Sequence, residues 1–149
     1  MCTFALRKSG SNNFRRKRFS IATMIKTILL VGGGSCIGGI CRYLLSSAFN
    51  VSSTSFPLGT YIVNTLGCLL IGAFWALSVR HQFLSPSLAT FLMTGFCGGF
   101  TTFSTFSKES LGLLQANDFV GFSLYTIGGV ALGLLAVWVG YKAVEAVVM

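Results

Sequence analysis

Four long stretches of this chain are almost free of charge, and they constrain its fold more than any other feature. They cover residues 25–49, 58–79, 88–114 and 119–148. The first holds only Lys26 at its edge and Arg42 near its far end, and the second holds no charge at all. The third is uncharged until Lys108 and Glu109, and the fourth until Lys142. A helix needs about 20 apolar residues to cross the hydrocarbon core of a bilayer, and each stretch reaches that length. The connectors are short and turn-like: NVSSTSFP (50–57), RHQFLSP (80–86) and QAND (115–118). The expected fold is an all-α integral membrane protein with four transmembrane helices.

Charge supports that class once it is located. Only 9% of the 149 residues are charged, against roughly 25% in a soluble domain. The net charge of +8 suggests nucleic acid at first, but six of the eleven bases are Arg7, Lys8, Arg15, Arg16, Lys17 and Arg18. Beyond Ala22 there are five bases against three acids. The charge belongs to a tail, and the expected partner is the lipid bilayer rather than nucleic acid. Residues 1–23 read as a basic, disordered N-terminal extension, suited to anionic lipid headgroups. Residues 24–149 read as the transmembrane domain, with Met24 a second candidate start. Four spans put both termini on one side. With the tail counted, the Lys/Arg bias holds the termini inside. Without it, Lys26, Arg80 and Lys142 face Arg42 and Lys108 across the membrane, three against two. So weak a bias leaves insertion in both orientations, and an antiparallel homodimer, open.

Small residues supply the means of packing thin helices in lipid. Gly34/Gly38 and Gly129/Gly133 are GxxxG pairs, and Cys68/Gly72 is a small-xxx-small pair. The five cysteines show no CxxC spacing and read as packing residues rather than a metal or disulfide framework. His81, the single histidine, falls in a polar turn beside Arg80. No nucleophile–base or carboxylate pair is evident, so enzymatic chemistry is not expected.

The informative segment is GFCGGFTTFSTF (95–106). A Gly-Gly pair followed by threonines and serine makes a poor lipid-facing helix, since glycine costs about 1 kcal/mol per site relative to alanine. A break is expected in the third span. Irregular backbone at membrane depth is tolerated where it is buried in protein or lines a water-filled cavity, and broken helices of this kind coordinate ions. A merely kinked, tightly packed helix is the plainer alternative. Asn64 adds an amide to an otherwise apolar second span; its NH2 offers two donors, which suits an anion, while a helix–helix hydrogen bond is the ordinary explanation. Phe103 and Phe106, three apart, share a helix face; phenylalanines at that spacing are ordinarily packing, while beside a polar break their positive ring edges suit an anion. A small, strongly hydrated anion needs such donors without a full positive charge to trap it.

GGGSCIGGICRY (32–43), PLGTYIVNTLGCLLIG (57–72) and, most specifically, GFCGGFTTFSTFSKE (95–109) strongly resemble the CrcB/Fluc family of bacterial fluoride channels. The likeness runs in order through Met24–Val148. It implies an antiparallel, dual-topology homodimer in the bacterial inner membrane, with two pores that let fluoride leave the cytoplasm passively after entering as HF. Carried over residue by residue, it makes Asn64 a pore donor and Phe103 and Phe106 the aromatic pair along the anion path. Thr60, Ser104, Thr105 and Tyr125 become polar pore neighbours. The carbonyls of Gly98 and Thr101 become ligands of a structural, non-transported Na+. Arg42 either snorkels to the interface or draws anions to the vestibule. Two departures stand out: the basic tail is foreign to the family pattern, and Gly129 and Gly133 stand where the fourth span should offer hydroxyls. The alternative function is a small four-span multidrug or cation antiporter, which needs a titratable carboxylate inside a span. Glu109, Asp118 and Glu145 all fall near span ends.

Overall fold

The computed structural model describes residues 21–49, 56–79 and 83–148, and these are helical apart from short connections. The basic tail as far as Ser20, with Arg80 and His81, lies outside the described residues. Helix α1 is Ile21–Phe49, α2 is Leu58–Val79 and α6 is Phe119–Val148. At 1.5 Å per residue they reach roughly 43, 33 and 45 Å, all beyond the ~30 Å hydrocarbon core. These three are long and apolar enough to cross a membrane. Helix α1 begins earlier than the Met24 boundary expected from sequence. Ile21, Ala22 and Thr23 carry no breaker, and the Thr27 hydroxyl donates to the Thr23 carbonyl at 2.9 Å.

The third apolar stretch is built differently. A short helix α3 (Pro86–Ala89) runs into a π-helical segment (Thr90–Cys97) and then α4 (Gly98–Phe100). Thr101 and Thr102 are extended, with φ/ψ of −85°/154° and −146°/113°. Helix α5 (Phe103–Gln115) follows. The ends are set by local chemistry. Ser85 caps α3 by accepting the Leu88 N–H at 3.3 Å, with Pro86 in the first turn where its missing donor is harmless. The Thr102 hydroxyl accepts the Thr105 N–H at 3.3 Å and starts α5. Between α5 and α6, Asn117 takes a left-handed φ of 58°, which asparagine tolerates. The Asp118 carboxylate then receives the Gly121 N–H at 2.8 Å.

The elements pack in two pairs, α2 along α6 and α1 along the π-helical segment and α4. Glycine makes both approaches possible. A β-carbon built on Gly34 would sit 2.6 Å from the Phe91 carbonyl oxygen and 2.8 Å from the Phe96 nitrogen. One on Gly38 would strike the Phe96 carbonyl, and one on Gly72 the Val137 carbonyl of α6. Ile28, Ile40, Leu44, Leu134 and Trp138 remain exposed. Helices apolar all round suit lipid rather than water.

Candidate functional site

Around Thr101 and Thr102 the backbone must find partners outside its own helix. The Thr101 N–H and hydroxyl both donate to the Cys97 carbonyl at 2.9 Å, closing off α4. Asn64 on α2 pairs with Thr102 as a peptide group would. Its Oδ1 accepts the Thr102 N–H at 2.9 Å, and its Nδ2 donates to the Thr102 carbonyl at 3.2 Å. Among the described residues, that leaves one amide N–H of Asn64 over. The opposite flank is tied to α1: the Ser35 hydroxyl donates to the Gly95 carbonyl and Arg42 Nε to the Gly99 carbonyl, both at 3.2 Å. Among the described residues no hydrogen bond reaches the carbonyls of Gly98 or Thr101.

The residues singled out from sequence fall into three groups, with Arg42 apart from them. Asn64, Gly98, Thr101, Phe103 and Phe106 line one cavity of about 600 Å³, and Gly129 and Gly133 form part of its α6 wall. Phe103 is 81% exposed, and its ring centroid lies 6.2 Å from that of Phe106. Ser104 and Thr105 belong to the α5 cap, their hydroxyls 3.3 and 3.1 Å from that of Thr102. Thr60 and Tyr125 are buried, and both donate to Glu109, Thr60 to Oε1 at 3.0 Å and Tyr125 to Oε2 at 2.7 Å. Arg42 stands apart on α1, engaged with Gly99.

Sequence reasoning missed Glu109 as part of this site. Its carboxylate is clamped by two hydroxyls, and Tyr125 also packs on Phe106 with ring centroids 4.9 Å apart. A signal was available: Glu109 lies three residues after Phe106 and so shares its helix face, while Thr60 lies one turn before Asn64. With their protons directed at Glu109, Thr60 and Tyr125 hold a carboxylate beside the aromatic pair rather than offering free donors to the cavity. Gly129 and Gly133, a candidate helix-packing pair by spacing, face Phe106, Tyr61 and Cys68 side chains instead of a neighbouring backbone.

The cavity combines an amide and two phenylalanine rings with an apolar wall, and no lysine or arginine lines it among the described residues. Known proteins resemble this chain over most of its length. The model of the CrcB-like protein family (camphor resistance, CrcB) matches residues 29–141. The fluoride-specific ion channel FluC of Phocaeicola vulgatus is 46% identical over 117 residues, covering 78% of this chain and 96% of that relative. The proteins of the same name from Nitratidesulfovibrio vulgaris and Flavobacterium psychrophilum are each 44% identical, covering 78% of this chain and 94% of theirs.

Proposed function

This chain belongs to the CrcB-like family, and from that premise we propose how it works as a fluoride-specific channel. It is a multi-pass membrane protein, in bacteria one of the inner membrane, and it conducts an ion without chemical turnover. Fluoride leaves the cytoplasm passively through it, which lowers the internal concentration built up when HF enters. The observation that carries the reading is the pairing of Asn64 with Thr102 beside Phe103 and Phe106. It fixes an amide donor at a point where the backbone is already irregular. A desolvated fluoride needs donors to replace its water, and it receives the remaining Asn64 N–H and the positive edges of the two rings. Because no full charge lines the cavity, the ion is held weakly enough to move on.

The break in the third span serves a second purpose in this reading. The carbonyls of Gly98 and Thr101 lie in the last turn and cap of α4, at the extended Thr101–Thr102 segment, where partial negative charge collects. Arg42 and Asn64 occupy the neighbouring Gly99 and Thr102 carbonyls, while those of Gly98 and Thr101 are read as the ones that face a cation. Oxygen ligands of this kind suit a hard ion such as Na+, which supplies fixed positive charge and a bond across the interface. Hard cations take several oxygens, and one chain offers two here. A second copy contributes the same pair, giving an antiparallel, dual-topology homodimer. The three-against-two balance of Lys and Arg outside the tail is compatible with both insertions.

Growth tests the function in cells. A bacterium lacking its own fluoride exporter, expressing this chain, is expected to grow in fluoride concentrations that stop the empty-vector strain. No growth advantage with the protein present in the membrane contradicts the reading.

A further inference from the structure

Two cysteines that the proposed anion path does not use come level with one another in this fold. The pairing of Asn64 with Thr102 sets α2 against the broken third span. Further along α2, Gly67 takes the Thr101 side chain against its bare backbone. Cys68 follows Gly67. Cys97 lies one turn before Thr101, whose N–H and hydroxyl both donate to the Cys97 carbonyl. As α2 advances from Asn64, the third span runs back from Thr102, so Cys68 and Cys97 stand opposite. Their spacing in sequence carries no metal signature; the fold brings them level. Both line the cavity that holds Asn64 and Phe106, and both are free thiols. Cys97 is 1% exposed, and among the described residues neither sulfur is hydrogen-bonded. Gly133 leaves room at Cys68, where a β-carbon would stand 3.4 Å from Sγ.

We propose that Cys68 and Cys97 form a two-thiol site for a soft, linearly coordinated cation such as Hg2+ or Ag+, and that filling it blocks conduction. Thiolate sulfur selects soft metals. Among the described residues no group of three His, Cys, Asp or Glu is placed to hold a metal, so a tetrahedral ion such as Zn2+ lacks its ligands. Two sulfurs suffice for a linear one. Binding of Hg2+ breaks both S–H bonds, forms two S–Hg bonds and releases two protons to water; no electron is transferred. The site is separate from the Gly98 and Thr101 carbonyls, whose oxygens suit a hard ion. Cys68 lies one turn beyond Asn64 on α2, so a bound metal fills the cavity through which an anion leaves that amide. The block rests on reading this cavity as part of the anion path, whereas the binding does not.

The test uses full-length protein in liposomes, exposed to mercuric nitrate and then washed briefly with the monothiol glutathione. A metal bridging two thiols resists that wash, and a metal on one thiol is stripped. Wild type is expected to lose its fluoride efflux, to gain the mass of one Hg2+ per chain and to show two fewer free thiols. Dimercaptopropanol, a dithiol, should restore the efflux. Cys68→Ser and Cys97→Ser, each scaled to its own untreated efflux, should keep it after the wash. Cys36→Ser, on α1, should stay as sensitive as wild type. Where a serine variant does not purify intact, alanine at that position replaces it, and the mass and thiol count of wild type decide the binding alone. No retained metal, or one thiol lost per metal, overturns the site. So does loss of efflux in either single variant, or insensitivity of Cys36→Ser. A bridged metal with undiminished wild-type efflux overturns the block. Absent efflux from untreated wild type instead contradicts the channel reading, and leaves the mass and thiol count to decide the metal site.

Discussion

Asn64→Asp is expected to abolish fluoride conduction, because it keeps the acceptor that the Thr102 N–H uses and removes the donor proposed for fluoride. The amide makes two bonds to the Thr102 backbone, at 2.9 and 3.2 Å, and one N–H is left over. An aspartate fails fluoride in both protonation states. Ionised, it sets a negative charge in the path of an anion, in surroundings of low dielectric where repulsion is strong. Protonated, it spends its only proton on the Thr102 carbonyl and presents no donor to the cavity. Efflux in reconstituted liposomes should fall by about a hundredfold or more, roughly 2.8 kcal/mol, which a lost hydrogen bond to a charged group alone approaches. Asn64→Leu separates conduction from structure. It strands the Thr102 N–H and carbonyl as well, at about 1–3 kcal/mol for each unsatisfied group, so it should lose both efflux and thermal stability. Near-normal efflux from Asn64→Asp contradicts the assignment of Asn64 as the anion donor.

A large effect on stability is expected from Gly38→Ala. Its β-carbon would meet the Phe96 carbonyl on one side and lie 2.8 Å from the Phe100 nitrogen on the other. Both neighbours are backbone, so no rotamer change relieves the collision. Helix α1 must lift away from the π-helical segment and α4, and the bonds from Ser35 to Gly95 and from Arg42 to Gly99 lengthen with it. Overpacking typically costs 1–3 kcal/mol, and two rigid contacts place this site at about 3 kcal/mol or above. Gly32→Ala supplies the contrast on the same helix. Nothing lies within 4 Å of its built β-carbon, so the exchange should be neutral or slightly stabilising. Thermal melting in detergent, followed by the monodisperse fraction, distinguishes the two. Equal melting temperatures for both variants contradict the close approach of α1 to the third span.

How legible these features were depends on whether they follow from local chemistry. Charge punctuates the apolar stretches, and QAND and LSP carry their own turn and cap signals, so the helices at 58–79 and 119–148 were readable from residue types alone. Gly-Gly followed by Thr-Thr marks the segment as a poor helix former, and Thr101 and Thr102 within it have extended φ/ψ. The π-helical geometry of Thr90–Cys97 had no such signal. TFLMTGFC is ordinary helix sequence, and its widened turns arise where Gly95 meets Gly34 of α1, a long-range contact. The same limit hid Glu109. Its partners Thr60 and Tyr125 come from α2 and α6, and only their convergence turns a charge near a span end into part of the site. Gly129 shows the limit from the other side: the GxxxG spacing suggested a helix contact, while the structure seats two aromatic rings there.

Fluoride efflux from liposomes holding the purified protein tests the account at its centre. With Na+ on both sides and a potassium ionophore to dissipate the membrane potential, potassium fluoride should empty through the wild-type protein, as read by a fluoride electrode. Chloride-loaded liposomes should retain their anion in the same buffer. Fluoride retained by correctly folded protein, or chloride released as fast as fluoride, contradicts the account.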